Sequence, residues 1–279
     1  NPEHPASLGA TEAFAEAAVL GLYDPDRSQA ISRGEQIATR RSFVESLAAR
    51  RRGWQQNEGG GLRNSTAPVH SPKLTEQPTR QKQPWPQLRV HVWDPVLQNE
   101  RALGQELAFG TEASNLVPVY RFDRADVVLS LDADFLAGGT YPPRYARDFT
   151  DRRRLAADAA GSWEMNRLYT IETTPSLTGA KADHRLARSS RELEAFAFDL
   201  AARLGVDVER PQGLPDHDIP AIWMEELVND LQSYRSGSPD GGPLIIAGEH
   251  LPAAVQALAH AMNQQLQAIG NTVAFVESS

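Results

Sequence analysis

The sequence predicts an α/β protein, with a doubly wound, mostly parallel sheet divided between two lobes. Three observations predict it. Short apolar runs alternate with longer amphipathic segments through the second half of the chain. The run 127–131 is nearly continuous in apolar character, as a strand covered on both faces requires. No internal repeat of fixed period points to a solenoid or a propeller. Strands alternating with helices imply parallel pairing through right-handed crossovers.

Composition narrows the function. A chain of 279 residues with 41% hydrophobic content can bury a sizeable core. Zero cysteine excludes, within these residues, a disulfide scaffold, a Cys-ligated zinc site and a Cys-ligated iron–sulfur cluster. Lys and Arg total 28 against 36 Asp and Glu, a net charge of −8. That balance disfavours non-specific binding to nucleic acid or to an anionic membrane as the main role. No apolar stretch reaches the roughly 20 residues that a bilayer-spanning helix takes.

The elements follow in chain order. Phe14, Ala17, Ala18 and Leu22 form an apolar stripe on a first helix that Thr11 can cap and Asp24-Pro25-Asp26 ends. A second helix is expected from Ser42 to Arg52; Arg50-Arg51-Arg52 could be a phosphate-binding patch, though a basic last turn before Gly53 is the commoner reading. Residues 55–87 are rich in Pro, Gly and Gln and read mostly as surface loop, with a short strand near 62–66 and a half-helix near Leu74. Residues 88–92 alternate as a strand, and 98–109 read as a helix with Leu103, Leu107 and Ala108 on one face. After the 127–131 strand come a helix at 142–155 and a strand at 167–171.

Ser189-Ser190-Arg191-Glu192 fits a capping box for a helix carrying Leu193, Phe196, Ala197, Leu200 and Leu204, closed by Gly205. A helix from about Asp218 aligns Met224, Leu227, Val228 and Leu231. A strand at 244–247 precedes a helix at 251–269, whose face is Val255, Leu258, Ala259, Met262, Leu266 and Ile269. A final strand is expected at 272–276. A parallel-sheet protein rarely stops on a strand without a covering element, so the sequence reads as a piece of a longer polypeptide. The segments are taken as 1–54, helical and loop; 55–87, irregular; and 88–279, a Rossmann-like α/β region incomplete at its C-terminus.

In open α/β sheets, ligands sit beyond the carboxyl ends of strands. Three such ends carry chemistry. The first holds Asp132 and Asp134, weak candidates for a divalent cation, though capping residues of this type are commoner. Two carboxylates there would repel a pyrophosphate by about 1 kcal/mol or more per close pair. The second is Gly248-Glu249-His250, a lone glycine without dinucleotide-loop spacing, where Glu249 and His250 could form an acid/base pair, though a cap and a surface imidazole are the commoner reading. The third, 173–185, is rich in hydroxyls and carries Lys181, His184 and Arg185, candidate contacts for an anionic ligand, though a long loop that hydrogen-bonds itself and packs against a neighbour is the commoner reading. No histidine pair has metal-ligand spacing, and neither a Gly-x-Ser-x-Gly elbow nor a phosphate-binding P-loop is present.

Several blocks look familiar in order. They are residues 1–11, Tyr23-Asp24-Pro25-Asp26-Arg27-Ser28, residues 129–136, Tyr145-Ala146-Arg147-Asp148-Phe149, Met165-Asn166-Arg167-Leu168-Tyr169 and residues 177–186. Together they resemble the molybdopterin-oxidoreductase-like half of the B subunit of alternative complex III. The resemblance implies a molybdopterin-oxidoreductase-like fold and a place in a quinol-oxidising respiratory complex. The subunit would be peripheral, on the periplasmic side of a bacterial inner membrane.

In that family this half is thought to have lost its cofactor, so no molybdenum is expected. Iron–sulfur clusters belong to the C-terminal half of the subunit and c-type haems to partner subunits. The implied partners are a multihaem cytochrome c subunit and integral membrane subunits, with neither nucleic acid nor a membrane span of its own. Asp132 and Asp134 stand where active relatives keep a Gly- or Asn-containing loop. Two readings result: a non-catalytic scaffold that holds redox subunits in register, or a redox-active cofactor-binding domain with Lys181, His184 and Arg185 as its anion contacts.

Overall fold

The structure, a computed structural model, describes residues 1–67, 72–93, 99–139, 141–154, 165–233 and 241–277. The chain forms two compact units, residues 17–96 and residues 1–16 with 97–278. Helix α1 (Ala13–Ala18) falls where they meet in sequence.

In the 17–96 unit, β1 (Ser32–Arg33) and β2 (Gln36–Ile37) make an antiparallel hairpin. The turn between them uses Gly34 at φ +61°. Helix α2 (Arg40–Gln56) follows. Thr39 caps it by accepting from the Ser42 N–H, and Ser42 returns a contact to the Thr39 backbone. Then β3 (Arg63–Thr66), α3 (Pro72–Lys82) and β4 (Arg89–Val92) form a β-α-β unit with β3 and β4 parallel. Leu88 and Gly59 are its buried described residues, and a Cβ on Gly59 would meet the Trp85 side chain at 2.6 Å.

Several expectations need correction here. The stripe of Phe14 and Leu22 stays exposed, so that turn of helix buries no apolar face. Helix α2 starts two residues early because Thr39 supplies the cap. It also runs through Gly53, which places Arg50, Arg51 and Arg52 in the helix body instead of the last turn. The 55–87 stretch is more regular than its composition suggests. Helix α3 is polar and leaves Leu74 half exposed, so it has no apolar period to read.

The larger unit continues with α4 (Asn99–Phe109), β5 (Leu116–Tyr120), β6 (Ala125–Leu131), α5 (Pro142–Asp151) and β7 (Arg167–Glu172). It is completed by α6 (Leu177–Ala180), β8 (His184–Ala187), α7 (Ser190–Arg203), α8 (Ala221–Ser233), β9 (Gly242–Ala247), α9 (Ala253–Gln265) and β10 (Val273–Glu277). Gln98 and Leu155, expected in the helices at 98–109 and 142–155, lie outside the described residues. The other helices expected in this unit form with shorter ends.

Strands β8, β7, β6 and β9 lie side by side in that order, all parallel. Alternation along β6 builds two cores. Val127, Leu129 and Leu131 pack with Phe196, Leu200, Leu227 and Met262 of α7, α8 and α9 on one face. Val128 packs with Phe122, Phe135, Tyr145 and Phe149 on the other. The molecule is therefore an α/β fold with a four-stranded parallel sheet buried on both sides.

Two further expectations fail in this unit. The C-terminal strand, β10, does not extend the parallel sheet; it pairs antiparallel with β5, a strand that the sequence pattern did not signal because Pro118 interrupts it. Helix α4 turns Leu103 and Leu107 outward. It packs through Gly104, where a Cβ would lie 2.3 Å from the Gln256 Cβ of α9, so close helix approach decides which face is inward.

Candidate functional site

The chain leaves β6, steps outward through β7 and β8, and returns with β9 on the opposite side of β6. The strand order therefore reverses between β6 and β9. The two strands stay paired to their carboxyl ends, but α5 after β6 and α9 after β9 pack on opposite faces of the sheet, which leaves a crevice between the outgoing connections. A cavity of about 310 Å³ lies at this mouth, lined by Asp132 and Asp134 after β6, by Thr173, Thr174, Pro175 and Ser176 after β7, and by His250 after β9.

Asp132 takes a left-handed backbone, φ +50°, which a short polar side chain tolerates. Its Oδ1 accepts the Thr173 N–H at 3.1 Å, and its Oδ2 accepts the Thr173 hydroxyl at 2.9 Å. The same Oδ2 lies 3.1 Å from Nε2 of His250. Burial pushes this carboxyl up, but the hydrogen bonds from His250 and Thr173 outweigh it and hold it below the ordinary value. The His250 imidazole is correspondingly raised, first by its hydrogen bond to Asp132 and against the opposing effect of burial.

Gly248 makes this approach geometrically feasible. A Cβ there would lie 2.3 Å from the Asp132 carbonyl oxygen. Its carbonyl accepts the Gln256 side-chain N–H at 2.5 Å, which fixes the turn to α9.

Asp134 is tied to the next loop. Its Oδ1 accepts both the Thr178 N–H at 2.9 Å and the Thr178 hydroxyl at 2.8 Å. Below it, Ser176 caps the short α6 by accepting the Gly179 N–H at 2.9 Å, and donates its hydroxyl to Glu172 at 2.5 Å. Glu172 is buried and also ion-paired with Arg185. Gly179 is required at that point, because a Cβ would lie 2.0 Å from Glu172 Oε1.

The mouth is thus closed by its own chemistry. The N–H groups of Thr173, Thr178 and Gly179 are the donors an anion would use at these strand ends. Each is given to a side-chain oxygen of the chain itself.

The sequence candidates divide. Asp132 and Asp134 meet at the cavity. Lys181, His184 and Arg185 do not line it. Arg185 turns to Glu172, the His184 ring stacks on Tyr169 with centroids 4.5 Å apart, and Lys181 lies exposed at the end of α6. Residues 184 and 185 also point to opposite faces of β8. Among the described residues, no group of three His, Asp or Glu side chains is arranged to hold a metal ion. His250 is the site residue that sequence reasoning undervalued. Its hydrogen-bond partner is Asp132, 118 positions away. No sequence signal joins them, because strand order is decided only in the tertiary structure.

No protein-family model matches the chain, and no curated protein matches it. Among the described residues, no helix is long and apolar enough to cross a membrane.

Proposed function

We propose that this chain is a non-catalytic, molybdopterin-oxidoreductase-like scaffold domain of an iron–sulfur subunit. It serves a membrane-bound, quinol-oxidising respiratory complex, peripheral on the periplasmic side. Its work is positional: it holds a cluster-bearing region and a multihaem cytochrome c subunit at fixed separation, beside integral membrane subunits. The resemblance of the quoted blocks supports the assignment to such a complex.

One observation carries the non-catalytic part. At the sheet mouth, where an α/β sheet presents backbone N–H groups to a pyrophosphate, Asp132 and Asp134 after β6 accept the N–H groups of Thr173 and Thr178 from the neighbouring β7–β8 connection. A dinucleotide cofactor would have to displace both carboxylates and then lie beside their negative charge. Lys181, His184 and Arg185 give it no shared counter-charge at the cavity.

The test is elemental and pterin analysis of the intact assembly, followed by separation of its subunits. The expected result is no stoichiometric molybdenum or pterin on this chain. Molybdenum retained at one equivalent per chain would overturn the scaffold reading, as would purification of the chain as a free enzyme.

A further inference from the structure

The 17–96 unit is built unlike the rest of the molecule. Leu88 is its single buried apolar side chain among the described residues, whereas the larger unit has two extensive cores. Helix α2 buries none of its residues. Phe43 is 60% exposed and Leu47 45% exposed, one turn apart on the same face. Together with Ile31 and Ala38 they line a groove of about 250 Å³ between the β1–β2 hairpin and α2. An 80-residue unit with so little core and an unpartnered apolar helix face has the character of half an interface.

The charge around the groove is one-sided. Residues 31–56 carry six arginines against Glu35 and Glu45, a net of +4, in a chain whose total is −8. Arg41 pairs with Glu45. Arg33 and Arg50 line the groove and have no ion-pair partner among the described residues.

We propose that this groove docks an acidic, amphipathic segment of another protein. An apolar side chain of that segment would seat between Phe43 and Leu47, and its carboxylates would pair with Arg33 and Arg50. The groove is smaller than the roughly 300–1,000 Å³ of small-molecule sites but suits a bulky side-chain anchor. Arg50 lies seven residues after Phe43, on the same helical face, so a cation sits within the apolar strip. Lipid tails would leave that cation unpaired in the apolar layer; a glutamate beside an apolar anchor satisfies both features. This inference is independent of whether the sheet mouth holds a cofactor.

The test uses the purified full chain and a fluorescent, acidic amphipathic peptide of about 18 residues, five helical turns. Its twin replaces every glutamate by lysine. The expected result is saturable binding of the acidic peptide, weakened by salt, with no binding of the twin. Arg33→Glu combined with Arg50→Glu should weaken it at least tenfold, as should Leu47→Asp. Arg27→Glu, outside the groove lining, should leave it within twofold.

Equal binding of both peptides, or of neither, overturns the proposal without relying on any variant. Two parallel measurements can also overturn it. One is co-sedimentation with phosphatidylglycerol vesicles that Leu47→Asp abolishes, which would make the groove a lipid contact. The other is self-association that the same substitution abolishes, which would make it an interface between copies.

Discussion

Asp132 and His250 show how two ordinary side chains become coupled by position alone. The pair is partly exposed, so after screening it is worth about 0.5–1 kcal/mol. The two titrations limit it from opposite sides. His250 is raised above its ordinary 6.5, so its contribution is complete below that value and disappears as pH rises through the higher folded one. Asp132 is lowered from 3.8, so its contribution is present above that value and disappears as pH falls through the lower folded one. The pair therefore stabilises the mouth most between pH 3.8 and 6.5. Replacing Asp132 by Asn should return the His250 titration, followed by NMR, toward that of an ordinary imidazole. It should also lower unfolding free energy at pH 5 by about 0.5–1 kcal/mol. An unmoved His250 midpoint would show that the contact is not made in solution.

At the scale of elements, α9 holds a second histidine in the opposite condition. His260 is buried beside Phe109 and Phe275, and neither ring nitrogen has a hydrogen-bond partner among the described residues. Burial pushes it down to about 4. The native state keeps this imidazole neutral while the unfolded chain protonates it, so stability falls as pH drops from 6.5 to about 4 and then levels. The loss is on the order of 3 kcal/mol. A His260→Phe variant should retain its stability across that interval in denaturant titrations at each pH. A parallel loss in the variant would place the acid sensitivity elsewhere.

Sequence was informative at this scale where one helix face met one core. The α7 capping box forms as read, with Ser189 accepting the Glu192 N–H and Glu192 accepting the Ser189 N–H. Leu193, Phe196 and Leu200 are fully buried. It was uninformative for α4, whose inward face carries Gly104 and the buried Gln105 in place of leucines. A helix that packs by close backbone approach leaves no hydrophobic period to detect.

At the scale of the whole molecule, the two units should differ in local stability. The parallel sheet is sealed on both faces, so the amides of β6, β7 and β9 open only with global unfolding. The 17–96 unit has one buried apolar side chain among its described residues, and its two-stranded β3–β4 sheet is short of what independent stability takes. Hydrogen exchange should show β3 and β4 exchanging at least tenfold faster than β6 and β9. Equal protection in the two units would mean that the smaller one is stabilised by contacts beyond its own core.

Local order determined the strands at 127–131 and 244–247, the helices with an apolar face and the α7 capping box, because apolar period and capping chemistry act over a few residues. The absence of cysteine ligands was equally plain in the composition. The arrangement of the mouth was not. Asp132, Thr173 and His250 come from three strand ends, and only the placing of β7 on one side of β6 and of β9 on the other brings them within hydrogen-bond reach. The antiparallel docking of β10 on β5 was likewise settled by tertiary pairing, since a strand's pattern states which face is apolar but not which neighbour it will meet.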